Sequence, residues 1–168
     1  MLYSLQKFYC IVIFSAALFQ DAPYDLSQLP ALQHFGIQIP ISFKDNKLML
    51  RFLNQLFSIS SSISGIETLE IRITWSLVDG GHGKDMLSPD AGWSTLDETL
   101  TSVKFVSLSQ VVFALNLMLG GAAGEDYDRK LELEKNSTLP CVDALFPKFK
   151  TSQRTLETSV NFYMCKEE

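Results

Sequence analysis

The sequence is poor in the side chains that most often carry catalysis or bind metal ions. It contains two histidines, His34 and His82, and three widely separated cysteines, at positions 10, 141 and 165. No CxxC or Cys/His spacing suitable for zinc is present, and spacing indicates no Ser/His/Asp arrangement. We therefore expect a non-catalytic protein that needs no cofactor or metal. The odd number of cysteines favours reduced thiols in a cytoplasmic or nuclear protein.

Runs of basic residues and long apolar runs are also missing. The formal net charge is −5 and no cluster of Lys and Arg exists, so the electrostatic footprint of a nucleic-acid-binding protein is absent. The longest apolar stretch, residues 8–19, is shorter than the roughly 20 residues that a membrane-spanning helix needs. We expect neither nucleic acid nor membrane among the partners.

A glycine-rich segment, residues 80–85 (GGHGKD), superficially resembles a phosphate-binding loop. The Walker pattern needs Gly and Ser or Thr where this sequence has Val78 and Asp85. The acidic residues Asp79, Asp85 and Asp90 do not have the spacing of an EF-hand loop. The segment is therefore predicted to be a plain surface loop, and the two histidines are predicted to be surface residues.

The N-terminal 20 residues allow two interpretations. Lys7 followed by an apolar run is typical of a signal peptide, which would make this a small secreted protein. In that case Asn136, which begins an Asn-Ser-Thr sequon, would be able to carry a glycan. The second interpretation is a buried strand, because Phe, Tyr, Ile and Val dominate residues 8–14. The repeat described next favours the strand.

Apolar residues recur four times at offsets 0, 3, 6, 8 and 10. The four copies are Leu2, Leu5, Phe8, Cys10, Val12; Leu29, Leu32, Phe35, Ile37, Ile39; Ile63, Ile66, Leu69, Ile71, Ile73; and Phe105, Leu108, Val111, Phe113, Leu115. About 2% of windows match these offsets by chance in so apolar a chain, so the number of matches is weak evidence by itself. The order of spacings within each copy is stronger evidence. Each copy begins with turn-like spacing and ends in strand-like alternation.

Such units predict short parallel strands that share one core, with helices returning the chain. Residues 47–58 and 93–103 have helical apolar spacing. Residues 125–135 mix charges and read as a solvated helix or loop, residues 139–149 as a last core segment, and residues 156–162 as a final strand. The predicted fold is α/β: an irregular leucine-rich-repeat-like solenoid arc forming one domain over residues 1–168, with a weak closing unit at residues 139–162.

The leucine-rich-repeat signature L-x-x-L-x-L-x-x-N matches one copy through the Asn, from Leu108 to Asn116, with Val111 and Phe113 in two of the Leu positions. The other copies have Ile13, Pro40 and Thr74 in place of Asn. The copies start at residues 2, 29, 63 and 105, which gives steps of 27, 34 and 42, whereas regular repeats span about 20–29 residues. The first copy begins with nothing before it to cover its core, so we expect a fragment of a longer protein.

Several segments resemble F-box/leucine-rich-repeat-like proteins of mushroom-forming fungi. The segments are residues 24–35 (YDLSQLPALQHF), 66–75 (IETLEIRITW), 93–108 (WSTLDETLTSVKFVSL) and 145–149 (LFPKF), so the resemblance spans roughly residues 20–162. It implies the substrate-recognition arm of a ubiquitin-ligase receptor. In that family an N-terminal F-box docks on Skp1. The chain has no room for an F-box before Leu2, so Skp1 is an expected partner only if an F-box exists upstream.

The strand positions between the predicted core residues are expected to line the binding face of the arc. They are His34, Gly36 and Gln38, then Thr68, Glu70 and Arg72, then Gln110, Val112 and Ala114. Of these, His34, Gln38, Thr68, Glu70, Arg72 and Gln110 are the predicted protein-binding residues. The alternative is that they are ordinary solvated strand residues and that loops make the contacts.

Overall fold

The computed structural model describes residues 7–11, 25–29, 31–42, 46–59, 63, 65–77, 82–88, 92–120 and 125–165. Five strands form one parallel sheet whose spatial order is the order along the chain. They are β1 (Lys7–Ile11), β2 (His34–Ser42), β3 (Thr68–Ser76), β4 (Gln110–Gly120) and β5 (Thr155–Cys165). The predicted parallel strands are confirmed, although β2 to β5 have 9 or 11 residues and are not short.

The strand register reproduces the apolar repeat. Phe8 pairs with Phe35, Phe35 with Leu69, and Leu69 with Val111. Each of these residues stands at offset 6 of its own copy, so equivalent positions lie side by side across four strands. Leu156 continues the row on β5. The predicted final strand of residues 156–162 is confirmed, and the observed strand is longer, from Thr155 to Cys165. Leu2, Leu5 and Val12 of the first copy lie outside the described residues.

One hydrophobic core lies against one face of the sheet. At Leu69, Ile71, Ile73 and Trp75 the side chains are fully buried, while the residues between them are half-buried or exposed. Alternate side chains of a strand point to opposite faces, so these four buried positions share one face. β-branched Ile and Val are frequent there, as a pleated and half-buried surface favours.

Five helices follow the strands: α1 (Asn46–Ile59), α2 (Gly83–Met86), α3 (Trp93–Thr101), α4 (Glu125–Asp143) and α5 (Pro147–Thr151). The two helices predicted from apolar spacing, residues 47–58 and 93–103, correspond to α1 and α3. The segment at residues 125–135 is helical and forms the first half of α4. None of the helices that the structure describes combines the length and the apolar character needed to cross a bilayer.

Aromatic side chains connect the helices to the sheet. Trp93 of α3, Phe113 of β4 and Phe146 beside α5 pack edge to face, with ring centroids 5.4–5.9 Å apart. Phe57 of α1 packs in the same way between Phe35 and Phe105. Edge-to-face pairs add about 0.5–1.5 kcal/mol each beyond their buried area, so these two clusters stabilise the contact between the two layers.

Two inward-facing predictions are wrong. Val103 is 93% exposed, because α3 ends at Thr101 and the chain turns at Ser102 into a 3₁₀ turn over Val103–Phe105. Leu139 is 45% exposed, because it lies on the outer side of α4. Within the core segment predicted at residues 139–149, the side chains of Val142, Leu145, Phe146 and Phe149 are buried as expected.

A buried carboxylate joins α3 to α5. Asp97 is 1% exposed, and its two oxygens accept hydrogen bonds from the backbone N–H groups of Lys148 (2.8 Å) and Phe149 (2.9 Å). These N–H groups have no partner inside the short helix, because they belong to its first turn. On the outside of the same contact, Glu98 accepts a bond of 2.6 Å from the Lys148 ammonium group. Asp97 therefore caps α5 from another helix.

We expect Asp97→Ala to lower the free energy of unfolding by about 2–3 kcal/mol, because it leaves two N–H groups without an acceptor in a partly buried place. The matched control is Glu98→Ala on the same helix, whose exposed ion pair contributes at most about 1 kcal/mol. Urea unfolding followed by circular dichroism measures both. Equal losses in the two variants would contradict the capping role of Asp97.

Candidate protein-binding face

The strand residues of opposite parity to the core form the second face of the sheet, which we call the open face. Gln38 and Arg72 are exposed on it, and Thr68, Glu70 and Gln110 are half-buried. The buried side chains of the helices belong to the core cluster on the opposite side. Most side chains of the open face are polar and only partly buried, so this face is in contact with solvent.

The six predicted binding residues lie together on this face. The register places His34, Thr68 and Gln110 in one row across β2, β3 and β4. Four residues further along the strands, Gln38 and Arg72 lie side by side, and Glu70 stands between the two rows on β3. The six residues therefore form one patch on three adjacent strands.

Two polar pairs flank a strip of small side chains. Arg72 donates from Nε to Glu70 Oε1 on β3. Gln110 donates from Nε2 to Glu157 Oε1 on β5, at 2.7 Å. Between these pairs β4 places the half-buried Val112 and the small Ala114, which is only 7% exposed. These two residues pair in register with Glu70 and Arg72 on one side. The centre of the face is therefore low and apolar, and its borders are charged.

A row of amides crosses the face closer to the carboxyl ends of the strands. Asn161 donates from Nδ2 to Asn116 Oδ1 at 3.0 Å, and Asn116 donates from Nδ2 to Thr74 Oγ1 at 3.4 Å. The three residues pair in register across β3, β4 and β5. Next along β5, Tyr163 is 51% exposed. Asn116, which completes the repeat signature, thus lies inside β4 on the open face, four residues before Gly120.

Sequence reasoning missed the residues that β5 and the longer strands add to this face. Glu157 and Asn161 follow from counting in twos along the predicted strand at residues 156–162, whereas Tyr163 lies beyond its predicted end and belongs to the longer β5. Asn116 has the same parity as Gln110, and only the assumption of short strands separated the two. The alternation of inward and outward positions in the sequence was therefore sufficient to place Glu157, Asn161 and Asn116 on the open face.

The segment around His82 is built differently from the predicted plain loop. His82 Nδ1 lies 2.6 Å from Glu134 Oε1, and Gly83 N–H donates to Glu134 Oε2 at 3.0 Å. The Glu134 carboxylate is buried, whereas the His82 side chain is 58% exposed. Residues 83–86 form the short helix α2, so the loop prediction is wrong there. The remaining glycines, with Val78, Asp79 and Asp90, lie outside the described residues.

A carboxylate that orients an imidazole occurs in general bases and in metal-binding histidines. Around His82, no nucleophile is hydrogen-bonded to the ring within the described part of the chain. The same part contains no group of three or more His, Cys, Asp or Glu side chains able to hold a metal ion. Asp85 is exposed on α2. The two hydrogen bonds to Glu134 attach the start of α2 to α4.

A cavity of about 330 Å³ lies between α3, α4 and α5. Trp93, Leu145 and Pro140 line it, together with the half-buried Cys141. The Cys141 thiol donates to the Ser137 carbonyl oxygen at 3.3 Å. Asp97 also reaches the cavity, but the backbone of α5 occupies both of its oxygens. The cavity thus offers apolar surface and no free charged group from Asp97.

Gly83 approaches α4 so closely that a side chain does not fit. A Cβ atom built on Gly83 would lie 2.4 Å from Thr138 Oγ1 and 3.1 Å from Leu117 Cδ1. Thr138 is fully buried, and its Oγ1 has no hydrogen-bond partner among the described residues. We expect Gly83→Ala to cost about 1–3 kcal/mol of stability through overpacking.

A double-mutant cycle tests this contact. Thr138→Ala removes both the hydroxyl and the neighbouring methyl group, so in that background Gly83→Ala should cost less than about 1 kcal/mol. Urea midpoints of the four variants give the coupling. Additive losses would show that the two residues do not interfere, and the assigned contact would be wrong.

Comparison with known proteins found no matching family model, no matching curated protein and no matching solved structure.

Proposed function

We propose that this chain is a protein-interaction module that binds a protein partner through the open face and performs no catalysis. One observation carries the proposal: an apolar strip, Val112 and Ala114, bordered by the Arg72–Glu70 and Gln110–Glu157 pairs. An apolar centre with a polar rim is the usual anatomy of a protein interface. The predicted residues His34, Gln38 and Thr68 extend this surface across β2 and β3.

We further propose that the strands are units of an irregular leucine-rich-repeat-like solenoid arc. In a solenoid each unit contacts only its neighbours. Here every strand pairs with its sequence neighbours in order, and equivalent apolar positions are in register. The uneven steps between copies and the 11-residue β4 and β5 depart from a regular repeat. These features support an arc built from unequal units.

The resemblance to F-box/leucine-rich-repeat-like proteins leads to a narrower proposal, that the open face recognises substrates of a cytoplasmic or nuclear ubiquitin ligase. Skp1 is a partner only of a product that carries an F-box upstream. Mapping the 5′ end of the native transcript identifies that product. We expect co-purification of Skp1 with it and not with residues 1–168 alone. Skp1 binding by residues 1–168 alone would contradict this assignment.

Two observations favour this reading over a secreted protein. β1 lies within the segment that a signal peptidase would remove, and all five of its residues pair in register with β2. The sequon at Asn136 lies inside α4, and its Thr138 is buried, whereas usable sequons are found on surface loops. An unprocessed N-terminus in the mature protein, read by mass spectrometry, would agree with this reading.

The binding proposal predicts that Glu70→Ala combined with Arg72→Ala weakens a partner's binding at least about tenfold, which is about 1.4 kcal/mol. Stability should change by less than about 0.5 kcal/mol, because the pair is near the surface. The matched control is the exposed ion pair Glu132–Lys135 of α4, changed to alanine in the same way. Partners retained by wild type and control, but lost from the double variant, are the specific ones.

A photo-crosslinking residue locates the contact directly. Gln38 is exposed on the open face, and Leu133 is 61% exposed on α4. Benzoylphenylalanine at position 38 should crosslink the partner, and the same residue at position 133 should not. Crosslinking from position 133 alone, or equal losses in both alanine variants, would place the binding site elsewhere.

A further inference from the structure

The last strand of the sheet has a long unpaired edge. β5 pairs with β4 along all 11 of its residues. It stands at the end of the strand order, and no strand among the described residues pairs with its outer side. Along that side, alternate peptide groups present N–H and C=O groups that are free to pair with another strand.

The two edges of the sheet differ in how well they are protected. β1 has five residues and begins at the exposed Lys7. Short edge strands and lysines are common devices against edge-to-edge pairing. β5 has neither device: it contains no Lys, Arg or Pro, and its one charged residue is Glu157. The β5 edge is therefore open to pairing in a way that the β1 edge is not.

The helical cover is also incomplete over β5, although Leu156, Val160 and Phe162 pack against the edge of the core. On β4 the core-facing residues Val111, Phe113, Leu115 and Leu117 are fully buried. Their register partners on β5 are Leu156, Thr158, Val160 and Phe162. Thr158 is exposed, and the other three are half-buried. A strip of apolar side chains thus lies next to the unpaired edge, and the same occupant is able to cover both.

We propose that this occupant is a second copy of the chain, whose β5 pairs with the first in antiparallel orientation around a two-fold axis near Ser159. Leu156 then lies opposite Phe162 of the second copy, and Thr158 opposite Val160 of the second copy. Each apolar strip is covered by the other.

Geometry selects the antiparallel arrangement. Two copies that pair in parallel through the same edge are related by a two-fold axis along the strands, which would turn the apolar strip of the second copy to the opposite face of the sheet. With a two-fold axis perpendicular to the sheet at Ser159, both strips lie on the same face, and Glu157 faces Asn161 of the second copy. Two-fold symmetry also makes the interface self-complementary and closed, so it ends at two copies.

The small size of the contact and its single apolar strip indicate a weak dimer. A single pair of strands with one apolar strip lies at or below about 1,200 Å² of buried surface, the lower end for specific complexes. The dimer should therefore dissociate in the micromolar range. It places two open faces on one continuous sheet, which would give bivalent binding to a partner that has two sites. The dimer itself does not depend on the proposed partner binding.

Sedimentation velocity of the full chain between about 1 and 100 µM tests the proposal. The wild-type weight-average mass should rise from 18.9 kDa toward twice that value. Thr158→Lys places an ammonium group in the apolar strip at an exposed position, so the fold should survive and the dimer should weaken at least about tenfold. The control is Thr95→Lys, the same change at an exposed position of α3, and it should dimerise like wild type.

Hydrogen exchange of the unaltered chain gives a second measurement that does not depend on any variant folding. Amides of β5 should exchange more slowly at the higher concentration, and those of β1 should not change. A wild-type mass that stays at 18.9 kDa throughout overturns the proposal, even if a strand of another protein is found on the edge. It is also overturned if Thr158→Lys dimerises like wild type, or if protection appears away from β5.

Discussion

One-sided burial of the parallel strands is the constraint on which the rest of the structure depends. The helices rest on a single set of inward side chains, and those on β3 and β4 are completely removed from water. A shift of one residue in the register of any strand would turn its apolar side chains outward. The matched register of Phe35, Leu69 and Val111 is therefore the condition for one shared core. The same condition leaves the opposite face free to be polar.

The sequence predicted what depends on local alternation. The offsets of the repeat identified the strands and even their mutual register, because alternating burial along a strand requires apolar residues at every second position. Amphipathic spacing identified α1 and α3 for the same reason. Strand length was underestimated, since Asn116 is a polar residue that a longer strand accommodates on its open face. A polar residue inside an alternating strand does not mark the strand end.

Long-range contacts account for the other errors. Residues 83–86 form a helix because the Glu134 carboxylate, about 50 residues further along the chain, accepts the Gly83 N–H group. The local sequence of a glycine-rich segment does not predict a partner so distant along the chain. The candidate face was predicted well on β2, β3 and β4, where the alternation is strong. Its extension to Glu157 and Asn161 required knowing that β5 lies beside β4.

The coincidence of spatial order and chain order has a consequence for how the molecule forms. Each strand pairs with the strand that precedes it, at separations that grow from 27 residues, between Lys7 and His34, to 45 residues, between Gln110 and Thr155. Among the described strands, none pairs with a strand that is not its neighbour in the sequence. Because a chain emerges from the ribosome in the same direction, each new strand meets its template already in place. Assembly is able to proceed one unit at a time during synthesis, and each step closes a loop of no more than 45 residues.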